Sequence, residues 1–233
     1  MELKDSVAII TGGASGLGEA TTRKFHSLGS KVCLFDLDNL RGKKLEKELG
    51  ENCVYFSVDV CSESDLVEAI NSVINRFNKI NININCAGIA LAEKTLSKEG
   101  LHDLSRFKKI IDVNLIGTFN ILRLCAEKMA KNPLDKNHER GIIINTASVA
   151  ALEGQKGQVA YAASKGGVAA MTLPIARDLA REHIRCCCIA PGLFLTPMFE
   201  GLGEEVCEAL AKDVVFPKRL GNPNEFAEFA SQI

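Results

Sequence analysis

Short apolar runs alternate with longer amphipathic stretches along the whole chain. The runs are rich in β-branched residues and almost uninterrupted, which is typical of strands covered on both faces. Strands are predicted at Val7–Ile10, Val32–Phe35, Val54–Val58, Ile80–Ile84, Ile142–Asn145 and Arg185–Ile189. Helices are predicted near residues 17–28, 39–49, 63–77, 103–130, 158–182 and 223–232. This alternation predicts an α/β fold in which right-handed crossovers connect the strands of a parallel sheet.

The size and composition indicate one globular unit. A chain of 233 residues is long enough to bury a sizeable core, so we expect a single domain over residues 1–233. Hydrophobic residues make up 46% and the net charge is -1, which argues against disorder and against nucleic acid as the main partner. No apolar run reaches the ~18 residues of a membrane span, so no membrane partner is expected.

Nine cysteines raise the question of disulfides or a metal site. Cys186, Cys187 and Cys188 are adjacent in a predicted buried strand, where cysteine behaves as a small hydrophobic residue. The sequence contains no Cys-x-x-Cys pair and no neighbouring histidine cluster, so we expect no metal. Free thiols in a reducing compartment fit this pattern best.

A glycine-rich segment follows the first predicted strand. Glycines at 12, 16 and 18 allow a tight turn, close approach of the backbone to a phosphate, and close packing of helix on strand. The start of the next helix offers unpaired N–H groups to an anion. We therefore expect a dinucleotide pyrophosphate to bind here, at Gly12, Ser15, Gly16, Leu17 and Gly18.

The second and third predicted strands each end near an acidic residue. Asp36 lies 20 residues after Gly16 (36 − 16 = 20), where a carboxylate can accept both hydroxyls of an adenosine ribose and repel a 2′-phosphate. NAD is therefore favoured over NADP, and the nearby Arg41 is interpreted as a helix-surface residue. Asp59, followed by Val60, could meet the adenine amino group, although a turn or helix-capping role is an equal alternative.

Polar residues with catalytic potential follow the later strands. Tyr161 and Lys165 are four residues apart, so both side chains lie on one helical face. A nearby cation would lower the pKa of the phenol and make Tyr161 a usable general base, while Ser148 could hold the substrate oxygen. Taken alone, a Tyr–Lys pair at this spacing is more typical of an ordinary amphipathic helix.

The chain resembles the short-chain dehydrogenase/reductase family over essentially its whole length. The motifs that carry the resemblance are Thr11-Gly12-x-x-x-Gly16-x-Gly18, Asn85-Cys86-Ala87-Gly88, Asn114, Ser148, Tyr161-x-x-x-Lys165 and Pro191-Gly192. The resemblance implies a single doubly wound Rossmann-type sheet with helices on both faces. It also implies a catalytic tetrad of Asn114, Ser148, Tyr161 and Lys165, in which Tyr161 exchanges the proton and Ser148 orients the substrate oxygen. Lys165 would bind the nicotinamide ribose, and Asn114 would anchor a water of a proton relay.

The same resemblance extends the cofactor site beyond the glycine-rich segment. Further contacts with NAD are implied for Cys86, Ala87, Gly88, Tyr161, Lys165, Pro191, Gly192, Phe194 and Thr196, with Thr196 at the nicotinamide carboxamide. Ser148 and Tyr161 are the implied substrate-binding residues.

The sequence around these motifs resembles that of the branch of the family that oxidises (S)-3-hydroxyacyl-CoA in fatty-acid or branched-chain amino-acid breakdown. That resemblance implies hydroxysteroids as further substrates, a homotetramer, and a mitochondrial location, with the cytoplasm as the alternative because no targeting extension is visible. A reductase acting on 3-oxoacyl carriers or other alcohols is an alternative enzyme. A subunit of a mitochondrial tRNA-processing complex is the non-enzymatic alternative.

Two segments depart from the family pattern or extend it. The family continues beyond a helix like residues 224–233 into a final strand, so we expect the C-terminal strand to be missing and the domain to be incomplete. A loop from Lys131 to Arg140 precedes the fifth predicted strand, and its Lys136, His138 and Arg140 could meet the phosphates of CoA. A solvated surface loop is an equal alternative.

Overall fold

A six-stranded parallel sheet forms the centre of the protein, in a computed structural model that describes residues 1–197 and 204–233. Its strands are β1 (Val7–Thr11), β2 (Lys31–Asp36), β3 (Cys53–Ser57), β4 (Ile82–Asn85), β7 (Gly141–Thr146) and β8 (Ile184–Ile189). The strands lie in the order β3-β2-β1-β4-β7-β8 across the sheet. All six strands were predicted from apolar runs, with bounds that differ by one or two residues.

Eight α-helices are present among the described residues. They are α1 (Gly16–Ser27), α2 (Asn39–Leu49), α3 (Glu63–Phe77), α4 (Leu104–Ile111), α5 (Thr118–Met129), α6 (Val159–Leu179), α7 (Glu204–Asp213) and α8 (Pro223–Gln232). The helix predicted over residues 103–130 is interrupted, because a π-helical segment, Asp112–Gly117, joins α4 to α5. Helix α7 was not predicted.

Both faces of the sheet are covered by helices. Alternate side chains of a strand point to opposite faces, and β1 shows this directly, with Ile9 in one hydrophobic cluster and Ile10 in the other. Ile9 packs in the cluster that contains Leu66 of α3 and Ile121 of α5, whereas Ile10 packs in the cluster that contains Phe25 of α1. This arrangement confirms the predicted doubly wound α/β fold.

The strand order reverses between β1 and β4. The chain builds β1, β2 and β3 towards one edge of the sheet and then returns to place β4, β7 and β8 on the other side of β1. Ala8 accordingly pairs with Val32 of β2 on one side and with Ile82 of β4 on the other. Loops on the two sides of such a reversal diverge and leave a crevice at the carboxyl ends of the strands.

Several smaller features complete the fold. A short antiparallel hairpin, β5 (Leu96–Ser97) with β6 (Gly100–Leu101), stands outside the main sheet and was not predicted. Within residues 1–197 and 204–233, no further strand pairs with the outer edge of β8. None of the helices described is both long and apolar enough to cross a membrane. The eight cysteines whose side chains are described are free thiols.

Candidate active site

A cleft of about 570 Å³ opens at the carboxyl ends of the strands, at the reversal between β1 and β4. It is lined by loops that follow all six strands of the sheet. Its lining contains every residue expected to bind the cofactor: Gly12, Ser15, Gly16, Leu17, Gly18, Asp36, Asp59, Val60, Cys86, Ala87, Gly88, Tyr161, Lys165, Pro191, Gly192, Phe194 and Thr196. Ser148 lines the same cleft.

The glycine-rich segment brings the start of α1 into contact with β1. A Cβ atom at Gly18 would lie 2.0 Å from the carbonyl oxygen of Gly12, so only glycine allows this approach. Gly12 itself has a φ of 63°, and a Cβ there would lie 2.8 Å from the backbone nitrogen of Ala87. The side chain of Ser15 makes no capping hydrogen bond, which leaves first-turn N–H groups of α1 available to an anion. This cradle fits a pyrophosphate.

Asp36 stands at the carboxyl end of β2 on the rim of the cleft. Its carboxylate accepts hydrogen bonds from the backbone nitrogens of Ala14 and Asp38, both at 3.0 Å, which fix its orientation. The nearby Arg41 lies 3.6 Å from the carboxylate of Asp38, on the exposed side of α2. The Asp36 carboxylate is held in place, and the nearby Arg41 is paired with Asp38. This arrangement suits a ribose with two free hydroxyls and disfavours a 2′-phosphate, so the cleft fits NAD.

The structure shows the turn role that was one of the two alternatives for Asp59. Asp59 Oδ1 accepts a hydrogen bond from the backbone nitrogen of Cys61 at 2.9 Å, as a turn carboxylate does. Ser62, rather than Asp59, caps α3 by accepting from the backbone nitrogen of Asp65. Asp59 and Val60 nevertheless line the cleft, where an adenine ring could meet them.

Tyr161, Lys165 and Ser148 meet at one end of the cleft. The Lys165 ammonium lies 5.8 Å from the centre of the Tyr161 ring and donates a hydrogen bond of 2.7 Å to the carbonyl oxygen of Thr146. Ser148 follows β7, and its Oγ accepts from the backbone nitrogen of Ala150 at 3.1 Å. Strand β7 therefore supplies the carbonyl that anchors Lys165, and the turn after it supplies the Ser148 hydroxyl that faces the phenol.

Burial is the main influence on the pKa values of Lys165 and Tyr161. It lowers the pKa of Lys165 to about 8, because the protein interior disfavours the ammonium ion. Burial also raises the pKa of Tyr161, and the hydroxyl of Ser148 opposes this rise only in part. The structure thus contradicts the expectation that Lys165 lowers the pKa of the phenol, since desolvation is the largest influence on it.

Asn114 lies behind the cleft wall and does not line the cleft. It sits in the π-helical segment and is fully buried. Its Oδ1 accepts from the backbone nitrogen of Ile89 at 2.8 Å, and its Nδ2 donates to Ile89 O at 2.9 Å and to Ser164 Oγ at 3.1 Å. Both amide protons are therefore engaged by protein atoms, and the side chain ties the segment after β4 to α6.

The loop after β8 forms part of the cleft wall. Thr196 lies against the glycine-rich segment, since a Cβ atom at Gly16 would be 3.3 Å from Thr196 Cβ. Phe194 is anchored by an edge-to-face contact with Phe226 of α8, with ring centroids 6.4 Å apart. Pro191 and Gly192 lie between these positions and β8, and all four residues line the cleft.

Sequence reasoning missed several lining residues. Lys109 of α4 is a cation in the cleft wall, and Ile89, Val113 and Pro197 also line the cleft. Only the amphipathic pattern of residues 103–130 could have indicated Lys109, and that pattern does not separate a cleft-facing from a solvent-facing lysine.

The loop from Lys131 to Arg140 does not line the cleft, so of its two alternatives the structure favours a surface loop over a contact with CoA phosphates. The loop leads into β7 and therefore sits at the amino ends of the strands, opposite the cleft. Lys136 pairs with Glu2, and the Arg140 guanidinium lies 3.4 Å from Glu182. These cations therefore pair with carboxylates of residues that precede β1 and β8, and they do not face the cleft.

The comparisons with known proteins agree with this geometry. The short chain dehydrogenase family model matches residues 6–207. Human 3-hydroxyacyl-CoA dehydrogenase type-2 is 52% identical over 233 residues, which cover 99% of this chain and 89% of the relative.

Two solved structures extend the likeness to three dimensions. A 3-hydroxyacyl-CoA dehydrogenase type-2 from Mycobacterium avium superposes with a TM-score of 0.92 at 41% identity, over 97% of this chain and 88% of the other. A 3-ketoacyl-(acyl-carrier-protein) reductase from Brucella melitensis complexed with NADH gives a TM-score of 0.87 at 28% identity, over 98% and 90%. The protein therefore belongs to the short-chain dehydrogenase family.

Proposed function

We propose that the protein is an NAD-dependent dehydrogenase that interconverts (S)-3-hydroxyacyl-CoA and 3-oxoacyl-CoA. One observation carries the reaction class: Tyr161, Ser148 and Lys165 meet at one end of a cleft whose other parts fit a dinucleotide. The substrate class rests on similarity to the human and mycobacterial 3-hydroxyacyl-CoA dehydrogenases, which exceeds the similarity to the acyl-carrier-protein reductase.

Different parts of the cleft would bind different parts of the cofactor. Asp36 would accept the adenosine ribose hydroxyls, the start of α1 would hold the pyrophosphate, and the loop carrying Thr196 would cover the nicotinamide end. NAD, when bound, supplies the acceptor for the hydride that leaves the alcohol carbon. Cys86 lines this site as an unreactive thiol, because burial raises its pKa to about 11.

Tyr161 and Ser148 would act on the substrate oxygen. Ser148 donates a hydrogen bond that orients the hydroxyl, and Tyr161 Oη removes its proton as the carbonyl forms. In the reverse direction the phenol returns this proton. Lys165, held by Thr146 O and 5.8 Å from the centre of the Tyr161 ring, would bind the nicotinamide ribose beside the phenol.

Asn114 would act as a positioning residue. Its hydrogen bonds to Ile89 and Ser164 fix the distance between the segment after β4 and helix α6, which carries Tyr161. A shift of either element would move the phenol relative to the cofactor site.

The proposal is tested by NAD-linked absorbance with three substrates in parallel: 3-hydroxybutyryl-CoA, a hydroxysteroid and a simple secondary alcohol. We expect turnover with the CoA ester and a much lower kcat/KM with the simple alcohol. Turnover of the steroid at a comparable kcat/KM would place hydroxysteroids among the substrates. Saturable NADH binding without turnover of the CoA ester would contradict the proposed substrate.

We also propose that the protein assembles as a homotetramer through the faces of α5 and α6. Phe119 of α5 and Leu173 of α6 are large apolar side chains that are 47% and 56% exposed in the single chain. Apolar side chains exposed on neighbouring helices are commonly covered by a partner subunit.

A further inference from the structure

Asp36 is the last residue of β2, so the position of its carboxylate depends on how the end of that strand is held. Its main-chain carbonyl oxygen accepts two hydrogen bonds. The backbone nitrogen of Val58 donates at 3.2 Å, near the long end of the usual range, and the Tyr55 hydroxyl of β3 donates at 2.9 Å. The Tyr55 hydroxyl is therefore the closer of the two groups that hold the peptide after Asp36.

The same hydroxyl also reaches the start of α2. Asn39 is the first residue of that helix, and its Oδ1 lies 3.2 Å from Tyr55 Oη, which shares its single proton between Asn39 and the Asp36 carbonyl. Between Asp36 and Asn39 the chain makes a turn, in which the backbone nitrogen of Asp38 donates to Asp36 Oδ1 at 3.0 Å. This turn sets the direction of the Asp36 carboxylate, and the Tyr55 hydroxyl bridges the two ends of the turn.

A glycine in α2 leaves room for the Tyr55 ring. A Cβ atom at Gly42 would lie 2.2 Å from Cδ2 and 2.3 Å from Cε2 of that ring, so the ring lies directly against the helix backbone. Glycine inside a helix is less favourable than alanine, so this close contact is made at a cost to the helix. One turn later, Glu46 Oε1 accepts from the backbone nitrogen of Tyr55 at 3.1 Å. Helix α2 therefore holds Tyr55 at both its ring and its backbone.

Three of the groups that restrain Asp36 differ in what a substitution can change. The backbone nitrogen of Ala14 donates to Oδ2 at 3.0 Å, and that of Asp38 donates to Oδ1. Main-chain donors remain in place when a side chain is replaced. The Tyr55 hydroxyl belongs to a side chain, so its contribution can be removed while the other two donors stay.

We propose that Tyr55 is a positioning residue for the adenosine end of NAD, whose hydroxyl fixes the end of β2 and thereby directs the Asp36 carboxylate at the ribose hydroxyls. Tyr55 does not itself line the cleft, so it acts through Asp36. A carboxylate that accepts two hydroxyls must be held close to one orientation, so loss of a support weakens the contact. The proposal rests on the proposed contact between Asp36 and the ribose, and it does not depend on the identity of the substrate.

Fluorescence titration of Tyr55→Phe with NADH tests the proposal without any substrate, because phenylalanine keeps the ring and removes only the hydroxyl. The Kd for NADH should rise roughly fivefold, the effect of one neutral hydrogen bond. The Kd for NADPH should rise less, because a less firmly held carboxylate repels the 2′-phosphate less. In turnover assays kcat at saturating NAD should be unchanged, since the reacting groups are untouched. Ser72→Ala is the matched control: it removes a hydroxyl that donates to a backbone carbonyl, Glu68 O at 3.0 Å, outside the cleft, and should leave the Kd for NADH unchanged.

A double-mutant cycle with Asp36→Ala separates positioning from a general loss of stability. In the Asp36→Ala background, Tyr55→Phe should not raise the Kd for NADH further, because the carboxylate through which Tyr55 acts is gone. An equal rise in both backgrounds would overturn the proposal. An unchanged Kd in Tyr55→Phe would overturn it too, even with a lower melting temperature, because the role of the hydroxyl would then be structural only. If the protein turned over no acyl-CoA, the proposed substrate would fail while the NADH titrations still decided the role of Tyr55.

Discussion

A single tyrosine carries the proposed proton transfer. The sequence contains only two tyrosines, and Tyr161 is the one that lines the cleft. Its burial raises the pKa of the phenol, so the phenol is the resting form at neutral pH. Proton abstraction therefore requires help from alkaline pH or from positive charge nearby.

Tyr161→Phe should lower kcat by roughly 10²–10⁴-fold, the usual contribution of a general acid–base group, while the Kd for NADH changes little. In the wild-type protein, kcat/KM for alcohol oxidation should rise with pH through the alkaline range, because the unprotonated phenol is the base. Stopped-flow or steady-state absorbance and NADH fluorescence titration measure these quantities. Equal loss of NADH binding and turnover in Tyr161→Phe would refute the assigned role.

Asp36 should set the choice between the two nicotinamide dinucleotides. Asp36→Ala should raise the KM for NAD by roughly tenfold or more, because a charged hydrogen-bond acceptor is lost, and should improve use of NADP as the repulsion disappears. Asp36→Asn, which retains one acceptor oxygen, should give an intermediate KM for NAD. Initial rates with both cofactors test this, and a parallel loss with NAD and NADP would contradict the ribose contact.

At the scale of elements, the contact between β1 and α1 depends on the absence of a side chain. Gly18 brings the helix so close to the strand that its first N–H groups reach the cleft. A methyl group at this position has no room to move, because the atom that it meets belongs to the backbone of Gly12.

Gly18→Ala should therefore destabilise the protein by about 1–3 kcal/mol through overpacking and should weaken NADH binding. Gly166→Ala is the matched control, because a Cβ there would have its nearest neighbour at 3.8 Å and alanine favours a helix over glycine by about 1 kcal/mol. Thermal unfolding and NADH titration distinguish the two variants. A Gly18→Ala protein as stable as the wild type would show that the contact can relax.

The sequence predicted the regular elements better than the irregular ones. Buried parallel strands are continuous apolar runs, so all six strands of the main sheet could be predicted without any knowledge of their partners. The π-helical segment that places Asn114 follows no periodicity of its own and was read as ordinary helix. The β5–β6 hairpin has strands of only two exposed residues, too short for an alternating pattern.

The site was predicted in part because its glycines and strand-end polar residues occur at fixed spacings. The protonation state of Tyr161 was not predicted, because desolvation depends on how deeply the side chain is buried, which the local sequence does not show. The position of the Lys131–Arg140 loop could have been predicted, because a segment that enters a parallel strand lies at the amino end of that strand, away from the cleft. The positive charges of the loop had suggested a phosphate site instead.

At the scale of the whole molecule, the proposed homotetramer is tested by light scattering, with an expected mass near four times 25.2 kDa. Phe119→Asp and Leu173→Asp should each dissociate the assembly, because a buried, unpaired carboxylate is costly at an interface. Leu40→Asp on α2 is the control, since Leu40 is 87% exposed and lies outside the proposed faces. A monomeric wild-type protein would refute the assembly.

The strand order also bears on how the chain folds. Every pair of neighbouring strands in the main sheet is parallel, so no pair can form as a local hairpin. The central pairing of Ala8 with Ile82 joins residues 74 apart (82 − 8 = 74) and requires β2, β3 and three helices to be accommodated between them. Such distant contacts slow folding and leave apolar strands exposed while they form. Newly synthesised chains should therefore depend on chaperones more than an all-helical protein of this length.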